Sequence, residues 1–270
     1  MTFRRRLGGA LILAVVAAFL VPLGGSPAIA ASVSNPTPVY RFYKTDGSHF
    51  FTNSESEKAN VQRTASSSYR YEGVAFYSYP TQVAGTSPVY RFYNFRQGVH
   101  FYTINPNEHQ TVLTTASLTY RYEGVAYYAN TTQVTDSAPV FRFYKFRQGV
   151  HFYTSNAGEA AALRVNASLT YRDEGIAYYL PTTLTFSGTA SGEFRTDSFV
   201  LPTGRIETTA TYKGGLVAGL CPANPLEKCG TIADEDTGDG QTASSNLVDE
   251  GSYYLGGYAY GPWTVEILLP

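Results

Sequence analysis

The sequence predicts an all-β fold with short helices: a pseudo-threefold, β-trefoil-like domain followed by a small antiparallel β-sandwich. Three observations carry that prediction. The first is an internal repeat. PVYRFY, PVYRFY and PVFRFY open at Pro38, Pro88 and Pro139, run on to HFFT, HFYT and HFYT, and close with YRYEGVAFY, YRYEGVAYY and YRDEGIAYY. Spacings of 50 and 51 residues mark a supersecondary unit that recurs about an axis or along a stack. The second is composition: 23 Tyr and 16 Phe among 270 residues suit strands. The third is a change after Pro181, where the repeat stops and short apolar–polar alternations separated by Gly and Pro take over.

In chain order, residues 1–30 read as a signal peptide. Arg4, Arg5 and Arg6 form a basic start, Leu11 to Val21 an apolar run, and Ala28-Ile29-Ala30 a small-residue cleavage signal. The run is short for a bilayer span, and no later stretch is apolar enough, so the chain is expected to be secreted, with no membrane span after cleavage. Residues 31–37 read as a linker. Three copies of the repeat follow, at 38–87, 88–138 and 139–181, and the sandwich occupies 182–270.

Within a copy, Val39 to Tyr43 is β-branched and aromatic and reads as a strand. Asp46-Gly47 marks a hairpin turn, and Gly98 and Gly149 recur where a turn needs positive φ. His49 to Thr52 is the returning strand. Ser54, Asn105 and Asn156 are helix caps, each opening a short helix that ends near Arg63, Leu113 and Arg164. A second strand pair is expected around Tyr69–Tyr71 and Val74–Tyr77, bent at Gly73, with Gly124 and Gly175 repeating the bend. Four short strands in each of three units is the count of a β-trefoil, whose closure removes sheet edges. A propeller-like unit is the alternative. In the sandwich, Leu184–Ser187, Phe199–Leu201, Ile206–Tyr212, Ser252–Leu255 and Trp263–Ile267 read as strands. Cys221 and Cys229, close together in an exported chain, read as a disulfide worth about 2.5 kcal/mol by loop closure.

The pattern PVYRFY…HFYT…YEGVAYY resembles a secreted bacterial repeat domain of unknown function, across Pro38 to about Tyr179. The tail, with Gly261-Pro-Trp-Thr-Val265, is similar to β-sandwich modules appended to secreted bacterial proteins. The first resemblance implies export, alone or beside an extracellular hydrolase, and implies no particular chemistry. Phe51 stands where the other copies have Tyr102 and Tyr153, and Asp173 where they have Tyr71 and Tyr122.

A net charge of −1 and a pI near 6.4 leave no basic excess for phosphates, so nucleic acid is excluded as a partner. His49, His100 and His151 share one repeat position. They read either as core imidazoles, as binding residues, or as three ligands of a metal on the axis. Glu72, Glu123 and Glu174 read either as structural partners of Arg41, Arg91 and Arg142 or as acceptors for sugar hydroxyls, with Tyr43, Tyr93 and Tyr144 as stacking faces. A glycosidase would need two carboxylates in unlike environments, and no nucleophile elbow, zincin helix or phosphate loop is present. The acidic loop at Asp234, Asp236 and Asp239 reads as a solvated turn, with calcium the cation it would take; no other cofactor is expected. The expectation is a secreted, non-catalytic protein that binds carbohydrate or cell-envelope glycan through repeated sites. The alternative is an exported structural or protein-interaction module partnering an extracellular hydrolase.

Overall fold

A computed structural model describes residues 35–235 and 238–269. The predicted signal peptide, residues 31–34 of the predicted linker, and Asp236 lie outside the described residues. Among those described, no helix is long and apolar enough to cross a membrane.

The molecule is mostly antiparallel β, with three short helices. Each repeat folds as one lobe. In lobe 1, β1 (Thr37–Lys44) turns through Gly47 into β2 (His49–Thr52), α1 (Glu55–Thr64) follows, and β3 (Tyr69–Ser78) returns along the free edge of β1, giving the order β2-β1-β3. Lobe 2 repeats this with β4 (Thr86–Asn94), β5 (Val99–Thr103), α2 (Pro106–Thr115) and β6 (Tyr120–Asn130). Lobe 3 does so with β7 (Ser137–Lys145), β8 (Val150–Thr154), α3 (Ala157–Asn166) and β9 (Tyr171–Pro181). The helix caps act as expected: the Ser54, Asn105 and Asn156 side chains accept amide hydrogens from Glu57, Glu108 and Glu159.

The stretch from Tyr69 to Ser78 is one strand, and so are its two counterparts. Gly73, Gly124 and Gly175 do have positive φ (95°, 103° and 83°), yet they sit in β-bulges, where the pairing register shifts and the strand continues. Each lobe thus has three strands where four were expected, and the barrel closure of a trefoil does not form. Backbone pairing between lobes, among the described residues, is confined to Asn130 against Tyr179 and Tyr79 against Tyr128. The pseudo-threefold arrangement persists as a propeller-like ring closed by side chains. Phe50 packs on His100, Phe101 on His151, and Phe152 on His49, with ring centroids 4.7, 4.9 and 5.0 Å apart, so the third contact joins lobe 3 back to lobe 1. On the axis, Phe51, Tyr102 and Tyr153 meet edge to face at 5.8–6.3 Å. A second layer holds Phe76, Tyr127 and Tyr178, the last two joined hydroxyl to hydroxyl at 2.7 Å.

The sandwich follows with β10 (Thr183–Gly188), β11 (Gly192–Arg195), β12 (Phe199–Leu201), β13 (Gly204–Tyr212), β14 (Leu216–Pro222), β15 (Gly230–Glu235), β16 (Gly240–Val248), β17 (Gly251–Ala259) and β18 (Trp263–Leu268). One sheet runs β10-β18-β13-β16, the other β11-β17-β14-β15, with β12 also on β17. Their inner faces share one apolar cluster that includes Leu184, Leu216, Leu255, Trp263 and Ile267. Cys221 and Cys229 are bonded, tying the end of β14 to the start of β15. Four strands went unread in the sequence. Of these β11, β14 and β15 are short or Gly-interrupted, and β16 alternates exposed and half-buried polar residues without the apolar face that signals a strand.

The sandwich docks on lobe 1. Tyr77 joins the sandwich core and donates its hydroxyl to the Val200 carbonyl at 3.2 Å. Glu250 accepts from the Tyr71 hydroxyl at 2.5 Å and faces Lys58 Nζ at 3.5 Å.

Candidate functional site

The nine residues singled out in the repeats assemble as three equivalent sets, one per lobe. β1 places Arg41 and Tyr43 on one face, two residues apart, as strand periodicity requires. Tyr43 stands opposite His49 in the β1–β2 register, and β3 brings Glu72 beside both. His49 Nε2 lies 3.5 Å from Glu72, and the His100–Glu123 and His151–Glu174 distances are 3.2 Å each. Each carboxylate also faces the Nε of the first-strand arginine: 3.0 Å from Arg41, 3.1 Å from Arg91 and 2.9 Å from Arg142. A second cation, Arg70, Arg121 or Arg172, donates to the outer carboxylate oxygen at 2.6–2.9 Å.

Electrostatics follow from that crowding. A hydrogen bond from His100, aided by Arg121 and the Arg91 charge, holds the Glu123 carboxyl down at about 2 against the cost of burial. Burial opposes ionisation of Glu174 too, but Arg172, Arg142 and His151 outweigh it and keep that carboxyl below its usual range. Burial and the neighbouring Arg41 depress His49 to about 4, and burial with Arg142 does the same to His151. Near neutral pH these two imidazoles are uncharged.

The tyrosines are already engaged. Tyr43, Tyr93 and Tyr144 lie 5.1–5.4 Å from their own histidines, and the guanidinium of Arg70, Arg121 or Arg172 covers a face of each ring at 5.1–5.4 Å. Stacking of a sugar on that face requires the arginine to swing away. The three histidines do not converge on the axis, because each is a wedge between its own glutamate and a phenylalanine of the neighbouring lobe. Among the described residues, no group of three or more His, Cys, Asp or Glu is placed to hold a metal. Asp239 accepts the Gly214 amide hydrogen at 2.9 Å, Asp234 projects outward from β15, and Asp236 lies outside the described residues.

Sequence reading missed the residues that join one set to the next. Arg41 Nη1 reaches Glu159 of lobe 3 at 3.2 Å, Arg91 Nη1 reaches Glu57 of lobe 1 at 2.8 Å, and Arg142 Nη1 reaches Glu108 of lobe 2 at 2.9 Å. These glutamates sit three residues after each helix cap and recur at 51-residue spacing. That recurrence was the available signal, masked by their ordinary role as first-turn acids.

Above these ion pairs the lobes leave clefts. The one between lobes 3 and 1 has a volume of about 260 Å³ and is lined by Arg41, Glu72, Ser155, Asn156 and Glu159 among others. Its counterpart between lobes 2 and 3, about 180 Å³, presents Arg142, Glu174, Asn105 and Glu108 in the same places. Each cleft therefore offers guanidinium donors, carboxylate acceptors and an amide side chain in fixed positions, a set that can hydrogen-bond a polyol. A third opening of about 190 Å³ lies among the hairpin tips, bordered by Asp46, Gln97 and Gln148.

No curated protein matches the chain. Residues 24–116, which take in lobe 1 and the first part of lobe 2 through α2, are similar to a family described as a domain of unknown function (DUF5648).

Proposed function

We propose that this protein is a secreted, non-catalytic binding protein that recognises carbohydrate or cell-envelope glycan through the clefts between its lobes. The observation that carries the reading is recurrence. The Arg–Glu–Glu floor and the cap asparagine appear at equivalent places in the clefts between lobes 3 and 1 and between lobes 2 and 3. Weak sites repeated on one rigid ring gain avidity on a polymeric ligand. Export is supported by the basic and apolar N-terminal segment and by the disulfide, which suits an oxidising compartment. The non-catalytic part is supported by chemistry. Sugar hydrolysis asks for two carboxylates in unlike protonation states, and Glu123 and Glu174 are both held ionised, the first by His100 with two arginines and the second by two arginines with His151.

One observation favours the second reading, an exported structural or protein-interaction module partnering an extracellular hydrolase: the side chains of Glu72, Glu123 and Glu174 are only 13–16% exposed and fully engaged in ion pairs. A glycan array combined with calorimetry against purified wall material separates the two. Glycan binding that weakens stepwise as Asn105→Ala and Asn156→Ala are combined supports the first. Silence on both, with the protein folded, overturns it.

A further inference from the structure

The axial layer is symmetric in shape but not in hydrogen bonding. At the interface of lobes 1 and 2, the Tyr102 hydroxyl donates to the Phe51 carbonyl at 2.6 Å and accepts from the Phe51 amide at 3.2 Å. At the interface of lobes 2 and 3, the Tyr153 hydroxyl does the same to Tyr102, at 2.6 and 3.3 Å. The cycle then reaches the interface of lobes 3 and 1, where Phe51 faces Tyr153 and brings no hydroxyl. Its ring nonetheless holds the same edge-to-face position, 6.3 Å from Tyr153.

The backbone of Tyr153 is aimed at that interface. Antiparallel partners alternate between pairs that exchange ladder bonds and pairs that do not. Arg41–Phe51 and Arg91–Tyr102 are of the second kind, since the neighbouring tyrosine takes the amide and carbonyl of residues 51 and 102. Arg142–Tyr153 holds the same register in β7 and β8. The Tyr153 amide and carbonyl therefore point away from their own hairpin, toward lobe 1, and Tyr153 lines the cleft between lobes 3 and 1. That cleft is the larger of the two described above, about 260 against 180 Å³, and Val74 borders it where Ile176 borders the other.

A group that accepts from an amide and donates to a carbonyl at the same point is a hydroxyl; a carboxylate can only accept and an ammonium can only donate. Outside that point stand Arg41, Glu72 and Glu159, with Arg70 on the outer oxygen of Glu72, so two cations balance two carboxylates, which suits a neutral ligand over a charged one. We propose that the cleft between lobes 3 and 1 is the principal site of the protein and takes a neutral sugar, one of whose hydroxyls binds the Tyr153 backbone where a tyrosine hydroxyl binds at the other two interfaces. This deepens the glycan-binding reading and rests on it.

Amide exchange followed by NMR, with glucose, galactose and N-acetylglucosamine as probes, tests the assignment together with Phe51→Tyr. In the unmodified protein the Tyr153 amide exchanges faster than the Phe51 and Tyr102 amides, and saturating sugar slows it at least tenfold. Phe51→Tyr protects that amide without sugar, raises Tm by about 2–4 °C, and weakens sugar binding at least tenfold. Equal protection of all three amides in the sugar-free protein overturns the assignment without any variant. Sugar binding unchanged by Phe51→Tyr overturns it while leaving repeated-cleft binding standing. A Tyr153 amide that Phe51→Tyr protects, with no probe sugar bound by either protein, marks a site for water only and overturns the assignment, while the glycan array decides the repeated-cleft reading separately.

Discussion

In the sandwich, one continuous apolar cluster runs from Leu184 to Leu269 between two sheets, and a disulfide pins its edge. In the ring of lobes the apolar residues fall into separate groups: an axial cluster around Phe51, Tyr102 and Tyr153, and small clusters under the helices of lobes 1 and 3. Between lobes the axial rings are accompanied by Arg–Glu pairs, imidazole wedges and tyrosine hydroxyls on backbone. The contrast follows from how each region is built. A sandwich buries both sheet faces against each other. A three-stranded lobe of about fifty residues cannot bury enough apolar surface alone, so it completes itself against copies of itself. Polar side chains then fix the angle and register of that assembly. One region resists through area, the other through charge state and geometry.

Removing area from the sandwich gives the largest effect. Leu255 is fully buried between its sheets, and Leu255→Ala should cost about 4 kcal/mol in transfer and cavity terms. Trp263 is the single tryptophan and lies in the same cluster, so its fluorescence in a urea titration reports this region alone. The tyrosine near-ultraviolet dichroism, dominated by the lobes, should shift by less than about 1 kcal/mol. Equal shifts in the two signals would show that the regions unfold as one and would remove the contrast.

Arg142→Met comes next and acts on the other side. It keeps the stem and deletes the charge between Glu174 and Glu108, each 2.9 Å away. Two half-buried carboxylates are left facing each other, at a cost of about 3 kcal/mol. The dichroism signal should move and the tryptophan signal should not. Adding Glu108→Gln and Glu174→Gln to the variant should recover most of the loss. A triple variant as unstable as the single one would mean that the guanidinium mattered for packing rather than charge.

How much of this was written in the sequence depends on distance along the chain. The helices were legible because Ser54, Asn105 and Asn156 are local caps, and the hairpins because Gly47, Gly98 and Gly149 must take positive φ. The disulfide was legible because two cysteines stood alone and close together. The trefoil reading failed at a local ambiguity: a positive-φ glycine serves a turn or a bulge equally well, and only the partner strand decides between them. The site was half legible. That Tyr43, His49 and Glu72 belong together follows from their recurrence. That Arg70 covers the Tyr43 ring, and that Arg41 reaches Glu159 in another lobe, depends on a ring closure that spacing does not encode. Phe51 was noticed as a departure, whereas its consequence for the Tyr153 backbone required knowing which lobe follows which around the axis.

Acid should sharpen the contrast without any mutation, and by the smallest step. His49 and His151 sit at about 4 in the folded ring, below the ordinary 6.5 that they regain on unfolding. Between those values the unfolded chain binds more protons than the folded one, so stability rises with pH and is lost as pH falls from about 6.5 toward 4. Each histidine contributes at most about 1.4 kcal/mol per pH unit. Below pH 4.5 the depressed carboxyls of Glu123 and Glu174 add to the loss in the same direction, since they are ionised in the folded ring where the unfolded chain has begun to protonate. Urea midpoints read by tyrosine dichroism should therefore drop steadily from pH 7 to 5, while the tryptophan midpoint of the sandwich stays nearly level. His49→Gln combined with His151→Gln removes the two imidazoles held at about 4 and should leave a shallower lobe curve above pH 5, the remainder coming from His109, which burial also holds below its ordinary range. A double variant that kept the original slope above pH 5 would place the acid sensitivity in another group such as His109, and the imidazole wedges would then be packing elements with no part in the response to pH.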